Sequence, residues 1–278
     1  MSTPTADASV DLVGRGRSPR QRARTRRTVQ YVVLLLVLAA GAALADWDRV
    51  GSALFNPEVA AQMAGQLPRA FLNTVIYTAA AFAVGISLGT VLALMRLSSA
   101  APYRWIARVY IEFFRGVPAL LVVIAFGYAV PIAFGVSIDS VIAKAALALG
   151  MVSSAYIAET LRAGIEAVPR GQIEAARSLG MSSARTTLTV VLPQAFRIVM
   201  PPLTNEIILL TKDTSLVYLV GLQPFQYDLT KLGRDALSSA SGGLTALFVV
   251  GACYLLITVP LGALVSRLEK LTGQKGRV

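Results

Sequence analysis

Most of this chain is apolar, so the ionisable side chains inside its hydrophobic runs are the ones that need a chemical reason. Glu112 and Arg115 lie three apart in one such run, with Gly116 and Pro118 directly after them. Glu159 lies in a second run. A third holds Asn205, Glu206, Lys212 and Asp213, beyond a Pro201-Pro202 pair that reads as a break. An ionised group in hydrocarbon is unfavourable by a few kcal/mol or more, so it either serves a ligand or is matched by a partner. Arg115 presents a planar fork that suits a carboxylate. Glu159 or Asp213 would accept from an ammonium, and Asn205 adds an uncharged amide. Glu206 and Asp213 are seven apart and project to the same side of a helix. Together these groups could hold a zwitterion. The competing reading is mutual neutralisation: Glu112 with Arg115 on one helical face, and Lys212 with Asp213. Glu159 has no cation at i+4, and Arg162 lies nearer the cytoplasmic end of its run, which favours the ligand reading there.

Long apolar helices must position these groups. Hydrophobic residues make up 55% of the 278 residues and charged ones 15%, where a soluble domain carries about a quarter charged. The mean hydropathy is +0.63. The sequence therefore reads as an all-α integral membrane protein. A net charge of +11 could signal nucleic acid, but much of the excess sits in one run, Arg15 to Arg27, immediately before an apolar segment. That arrangement belongs to a cytoplasmic membrane face, with no nucleic-acid partner. There is no His, and the one Cys, Cys253, lies in an apolar run. Intrachain disulfides are excluded, no metal site is expected, and Cys253 reads as a small buried hydrophobe.

About 20 residues cross a bilayer as a helix. Six stretches qualify or nearly do: 29–45, 71–95, 109–134, 138–161, 196–219 and 244–266. The first ends in Ala43-Leu44-Ala45 before Asp46, which resembles a signal cleavage site. The long polar segment ahead of it favours an uncleaved anchor helix. Arg and Lys mark the cytoplasmic side. They place the tail (1–28), the loop at Arg96, Arg104 and Arg108, the flanks at Arg162 to Arg197, and the C-terminal tail (271–278) inside. The stretch 46–70 is then an extracytoplasmic loop, and both termini are cytoplasmic.

One cytoplasmic stretch is polar and helical in character: "EAARSLGMSSARTTLTVVLP", Glu174 to Pro193. Gly180 reads as the point where a first short helix stops. Ala175, Ala176 and Leu179 are read as one face whose small residues admit a close neighbour. Glu174-Ala175-Ala176, three residues, Gly180, nine residues and Val190-x-Leu192-Pro193 resemble the EAA loop of ABC importer permeases, with Val190 where that family has Ile. "YIEFFRGVPALL" is similar to a stretch of the family's polar amino-acid branch, with Val117 and Ala119 replacing its usual Thr and Leu. The resemblance covers about Asn73 to Lys270, a type-1 transmembrane domain at 71–270.

The resemblance implies a five-helix core of the type I importers plus the N-terminal helix 29–45. It implies cytoplasmic coupling helices in which Glu174 helps fix the loop, Gly180 permits its turn, and Ala175, Ala176, Leu192 and Pro193 complete the docking element. It implies a second permease subunit, the same chain or a homologue, two cytoplasmic ABC ATPases carrying ATP and Mg, and an extracytoplasmic amino-acid-binding protein, all within the cell membrane. The chain itself needs no cofactor. It has no G-x4-G-K-[ST] loop, so it is not an ATPase by that means. Arg115, Glu159, Asp213 and Asn205 become candidates for an amino-acid site, with glutamate, glutamine or aspartate favoured by resemblance. Other classes fit less well. A channel would show rings of like charge or a carbonyl filter, and a stand-alone secondary transporter would show inverted repeats. An intramembrane enzyme would need a nucleophile, base or metal cluster.

Overall fold

Close approach between helices needs small residues, and the sequence supplies them as Gly85-x3-Gly89 on one helix and Gly150 on another. A Cβ on Gly89 would come 2.9 Å from Ile157 Cγ2 and 3.0 Å from Ser154 O, and one on Gly150 would come 2.8 Å from Val84 Cβ. A Cβ on Gly85 would overlap Ser153 Oγ. Small residues at facing positions let two membrane helices pack backbone against backbone. The two helices concerned, 67–97 and 141–166, form the most extensive pairing in the structure. Tyr77, Ala81, Leu92, Leu149, Val152 and Ala155 are buried along this seam.

The structure is a computed structural model that describes residues 19–239 and 243–271. The expected tails therefore lie partly outside the described residues, with Arg15, Arg17, Lys275 and Arg277 among those not described. The helices in chain order are α1 (Pro19–Leu44), α2 (Trp47–Leu54), α3 (Pro57–Ala64), α4 (Leu67–Leu97), α5 (Ala101–Gly116), α6 (Ala119–Ile124), α7 (Val130–Phe134), α8 (Val141–Glu166), α9 (Arg170–Ser178), α10 (Ser183–Thr186), α11 (Leu192–Asp213), α12 (Leu229–Leu237) and α13 (Thr245–Leu271). No strand occurs among the described residues. The chain divides into two compact units, residues 1–51 and 52–278. The stretch 46–70 carries α2 and α3, and Asn56 caps α3 by accepting from the Glu58 amide at 2.9 Å.

Among the described residues, four helices are long and apolar enough to cross a membrane, at 26–44, 67–97, 141–166 and 245–271, and a fifth crossing results if a bent pair counts as one. That pair occupies the expected span 109–134. It is no straight helix: 101–116 and 119–134 meet at 102°. Pro118 explains the elbow, because a residue before proline is driven to extended backbone, and Val117 has φ −90°, ψ 131°. The expected span 196–219 is α11 followed by a 3-10 turn, Thr214–Val220. It carries Arg197, Asn205, Glu206, Lys212 and Asp213, so it is less apolar than the others. The expected break at Pro201-Pro202 is absent; α11 runs through both prolines, and Pro201 is buried.

Two π turns have one sequence cause. Ala125–Ala129 and Thr187–Val191 each end two residues before a proline, Pro131 and Pro193. A proline offers no amide to the i−4 carbonyl. The preceding amides bond one residue further back instead, Val130 to Ala125 and Leu192 to Thr187, which widens the turn.

Candidate functional site

The elbow between α5 and α6 places Arg115 at the mouth of a cavity of about 390 Å³. Gly116, Val117 and Pro118 form one wall, Ser153 and Tyr156 of α8 a second, and Glu206 and Asp213 of α11 a third. Pockets of a few hundred Å³ suit small molecules. Arg115 does not pair with Glu112. Its guanidinium lies 5.5 Å from the centre of the Tyr156 ring, a cation–π contact that orients the fork while leaving its N–H groups free. Nor does an ion pair join Lys212 to Asp213 among the described residues; Lys212 is exposed and Asp213 turns into the cavity. Tyr110 helps hold α5 against α8, its hydroxyl lying 3.1 Å from Ser154 Oγ.

The fold brings Arg115 and Asp213 to one cavity and adds Glu206, whose signal was its seven-residue spacing from Asp213. Tyr156 and Ser153 carried no such signal, since an uncharged tyrosine or serine in an apolar helix looks like any packing residue. Two candidates lie elsewhere. Asn205 is exposed and does not line the cavity. Glu159 is held by two arginines: its Oε2 lies 2.7 Å from Arg162 Nη2 and its Oε1 3.3 Å from Arg96 Nε. Arg162 also reaches Glu166 at 2.5 Å. Both oxygens of Glu159 are thus occupied, and the group ties the end of α4 to α8. Arg162 at i+3 pairs with Glu159 despite its place nearer the cytoplasmic end, and Arg96 arrives from another helix, where spacing along one helix cannot show it.

The polar segment 174–193 folds as α9, a turn, α10 and a π turn leading into α11. Gly180 has φ +81°, the left-handed region that only glycine enters without penalty. Gly180 N donates to Arg177 O at 3.0 Å and Met181 N to Ala176 O at 3.2 Å, which is the Schellman ending of a helix. Ser182 then caps α10, accepting from the Arg185 amide at 3.3 Å. The expected shared face of Ala175, Ala176 and Leu179 is not formed. Ala176 is buried, while Ala175 is exposed and Leu179 is 84% exposed. Ile173, Val168, Val191 and Ala195 pack together beneath the segment, so α9 turns Ala176 inward and Leu179 outward. Glu174 is exposed, and its side chain makes no hydrogen bond among the described residues.

Residues 85–274 match the family described as binding-protein-dependent transport system inner membrane component. The chain is 36% identical over 201 residues to the probable glutamine ABC transporter permease protein GlnM of Bacillus subtilis (strain 168), covering 72% of this chain and 90% of that protein. It is 36% identical over 206 residues to the glutamate/aspartate import permease protein GltK of Escherichia coli O6:H1, with the same coverage. Against the arginine transport system permease protein ArtQ of Bacillus subtilis it is 35% identical over 178 residues, covering 64% of this chain and 79% of that protein. Among solved structures, an amino acid ABC transporter crystallised with histidines superimposes with a TM-score of 0.68 at 33% identity, covering 76% of this chain and 95% of that one. The MetNI methionine ABC transporter, at 19% identity and a TM-score of 0.58, shares the fold. With the family match spanning more than half of its length, this chain belongs to the binding-protein-dependent transport system inner membrane components, the membrane permeases of ABC importers.

Proposed function

We propose that this chain moves a polar amino acid across the cell membrane by alternating access, as one permease subunit of an ATP-driven importer. The observation that carries the reading is the cavity that joins Arg115 to Glu206 and Asp213. The guanidinium takes the α-carboxylate as a two-point fork, and the carboxylates take the α-ammonium. One cation stands against two carboxylates in that lining. This balance favours a ligand with a second cationic group over glutamate or aspartate, which would add a like charge to an acidic wall. The glutamine, glutamate/aspartate and arginine named for the relatives span both choices.

Coupling would run through Glu174 to Pro193. The exposed Glu174, Ala175 and Leu179 form a tip with no side-chain partner among the described residues, which supports its role as a coupling element docked on a cytoplasmic ATPase. Leu192 and Pro193 start α11, the helix that reaches Glu206 and Asp213, so a push at the tip would be delivered along one rigid rod to the cavity. In this reading α11 is the remaining crossing of a six-span chain with both termini cytoplasmic. The other parts are a second permease, two ABC ATPases holding ATP and Mg, and an extracytoplasmic binding protein. A channel or a self-powered transporter gains no support from the relatives.

The test is uptake of labelled glutamate, glutamine, aspartate, arginine and histidine by the assembled importer. Arg115→Ala should abolish uptake of whichever amino acid the parent carries, with a loss of about 2–5 kcal/mol, as for removal of one partner of a buried charged contact. Glu206→Gln should weaken cationic substrates most. Parental uptake by Arg115→Ala would remove the cavity from the pathway.

A further inference from the structure

Helix α1 lies outside the family match, which spans residues 85–274. It contains no Asp or Glu over its 26 residues. Its uncharged part, Thr28 to Leu44, extends about 26 Å at a rise of 1.5 Å per residue, somewhat less than the roughly 30 Å of hydrocarbon. None of its membrane-crossing window is buried in protein. A short membrane helix is accommodated by drawing its flanking residues to the two interfaces. Its flanks are built for this. At the far end stands Trp47, exposed, with its indole Nε1 donating to Ala42 O at 2.8 Å. At the near end stands exposed Tyr31, one turn from Arg27. Trp and Tyr are the side chains that settle at headgroup level.

Beyond Tyr31 the same helix continues without interruption to Pro19 through Arg27, Arg26, Arg24, Arg22 and Arg20. At 3.6 residues per turn, Arg24 and Arg27 fall on one face and Arg26 on the other side. A helix lying flat on a membrane would gather its cations on one side. Arginines on both sides instead encircle an upright helix, at the depth where the short span pulls them into the headgroup layer. Arg24, Arg26 and Arg27 are exposed, and no ion pair engages them among the described residues. Guanidinium forks match phosphate geometry, and the negative surface potential of anionic lipid adds to that match.

We propose that this arginine collar is a binding site for anionic phospholipids, which it gathers around α1 in preference to zwitterionic ones. Selection rests on the lipid's net charge, since both lipid classes carry a phosphate.

The full chain would be reconstituted into phosphatidylcholine vesicles with spin-labelled phosphatidylglycerol or spin-labelled phosphatidylcholine, and the motionally restricted fraction read by electron paramagnetic resonance. The parent should restrict phosphatidylglycerol several-fold more, and salt should reduce the preference. Changing Arg24, Arg26 and Arg27 together to Gln should cut it by half or more, and changing them to Lys should retain most of it. No preference in the parent, or an undiminished one in the Gln variant, would overturn the proposal. A fluorophore on a Cys introduced at Thr28 in a Cys253→Ser background gives a second reading with the arginines intact. Spin-labelled phosphatidylglycerol should quench it more strongly than spin-labelled phosphatidylcholine, and equal quenching would place the lipid elsewhere and sink the proposal.

Discussion

Gly164 and Val199 meet where α8 and α11 leave no room for a methyl group: a Cβ on Gly164 would overlap Val199 Cγ1, with Ala195 O 3.6 Å away. The contact lies between the polar segment and the cavity, along the helix that connects them. Val199 is buried, and valine in a helix has one strongly preferred rotamer, so it cannot swing aside freely.

Gly164→Ala should therefore lower stability by about 1–3 kcal/mol, as overpacking of a close contact does. Val199→Ala in the same chain should recover part of that loss, because it removes the atom in conflict. Thermal denaturation of the parent, the two single variants and the double variant would measure the coupling. Strict additivity would mean that the helices separate to make room.

Glu159 bridges α4 and α8 through Arg96 and Arg162, so its loss leaves two cations without their shared counter-charge. Glu159→Gln should reduce stability by about 1–3 kcal/mol, less than for a fully buried pair because the carboxylate is 21% exposed. The apparent KM for the transported amino acid should be unchanged. A large rise in KM with unchanged stability would return Glu159 to the ligand site.

Gly180 has φ +81° and open space around its Cβ position, so a side chain there meets backbone strain of about 1–2 kcal/mol and no clash. Gly180→Asp should insert and express as the parent does, since it lies outside every span. On the coupling reading, the added charge must be desolvated when the segment docks, so uptake and ATPase copurification should both fall. Gly180→Ala should show the strain alone. Full uptake by Gly180→Asp would show that this turn does not transmit force.

Asp228 caps α12, its Oδ1 accepting from the Lys231 amide at 2.8 Å, and it is fully buried with Oδ2 unpartnered among the described residues. Burial pushes its carboxyl up to about 7, against the pull of the amides at the start of the helix. Lys231 is occupied by Asp235 at 2.5 Å, and the neighbouring Tyr77 and Tyr254 are uncharged. The folded chain thus holds this proton to higher pH than the unfolded chain, whose carboxyl titrates near 4. Its contribution to stability should decline as pH rises from about 4 to about 7 and stay level above. Asp228→Asn keeps the capping oxygen and should flatten that decline. Melting temperatures of parent and variant across this range would check it, and parallel curves would mean that the carboxyl ionises normally.

Much was decided by residue type along the chain. Hydropathy marked four of the expected spans without tertiary information, because a helix in lipid satisfies its own backbone and needs only length and apolarity. The spacing from Glu174 to Pro193 marked the polar segment, and Gly180 its turn, because a left-handed residue is a local requirement. Arg115, Glu206 and Asp213 were visible as charges out of place. Only the tertiary structure decided which of them share a cavity. The elbow at Val117-Pro118 redirects α5, Arg96 arrives from another helix to claim Glu159, Tyr156 takes Arg115 from Glu112, and α11 runs intact through two prolines. Each outcome is a competition between partners distant in sequence, and spacing along one helix reports only the partners that the same helix supplies.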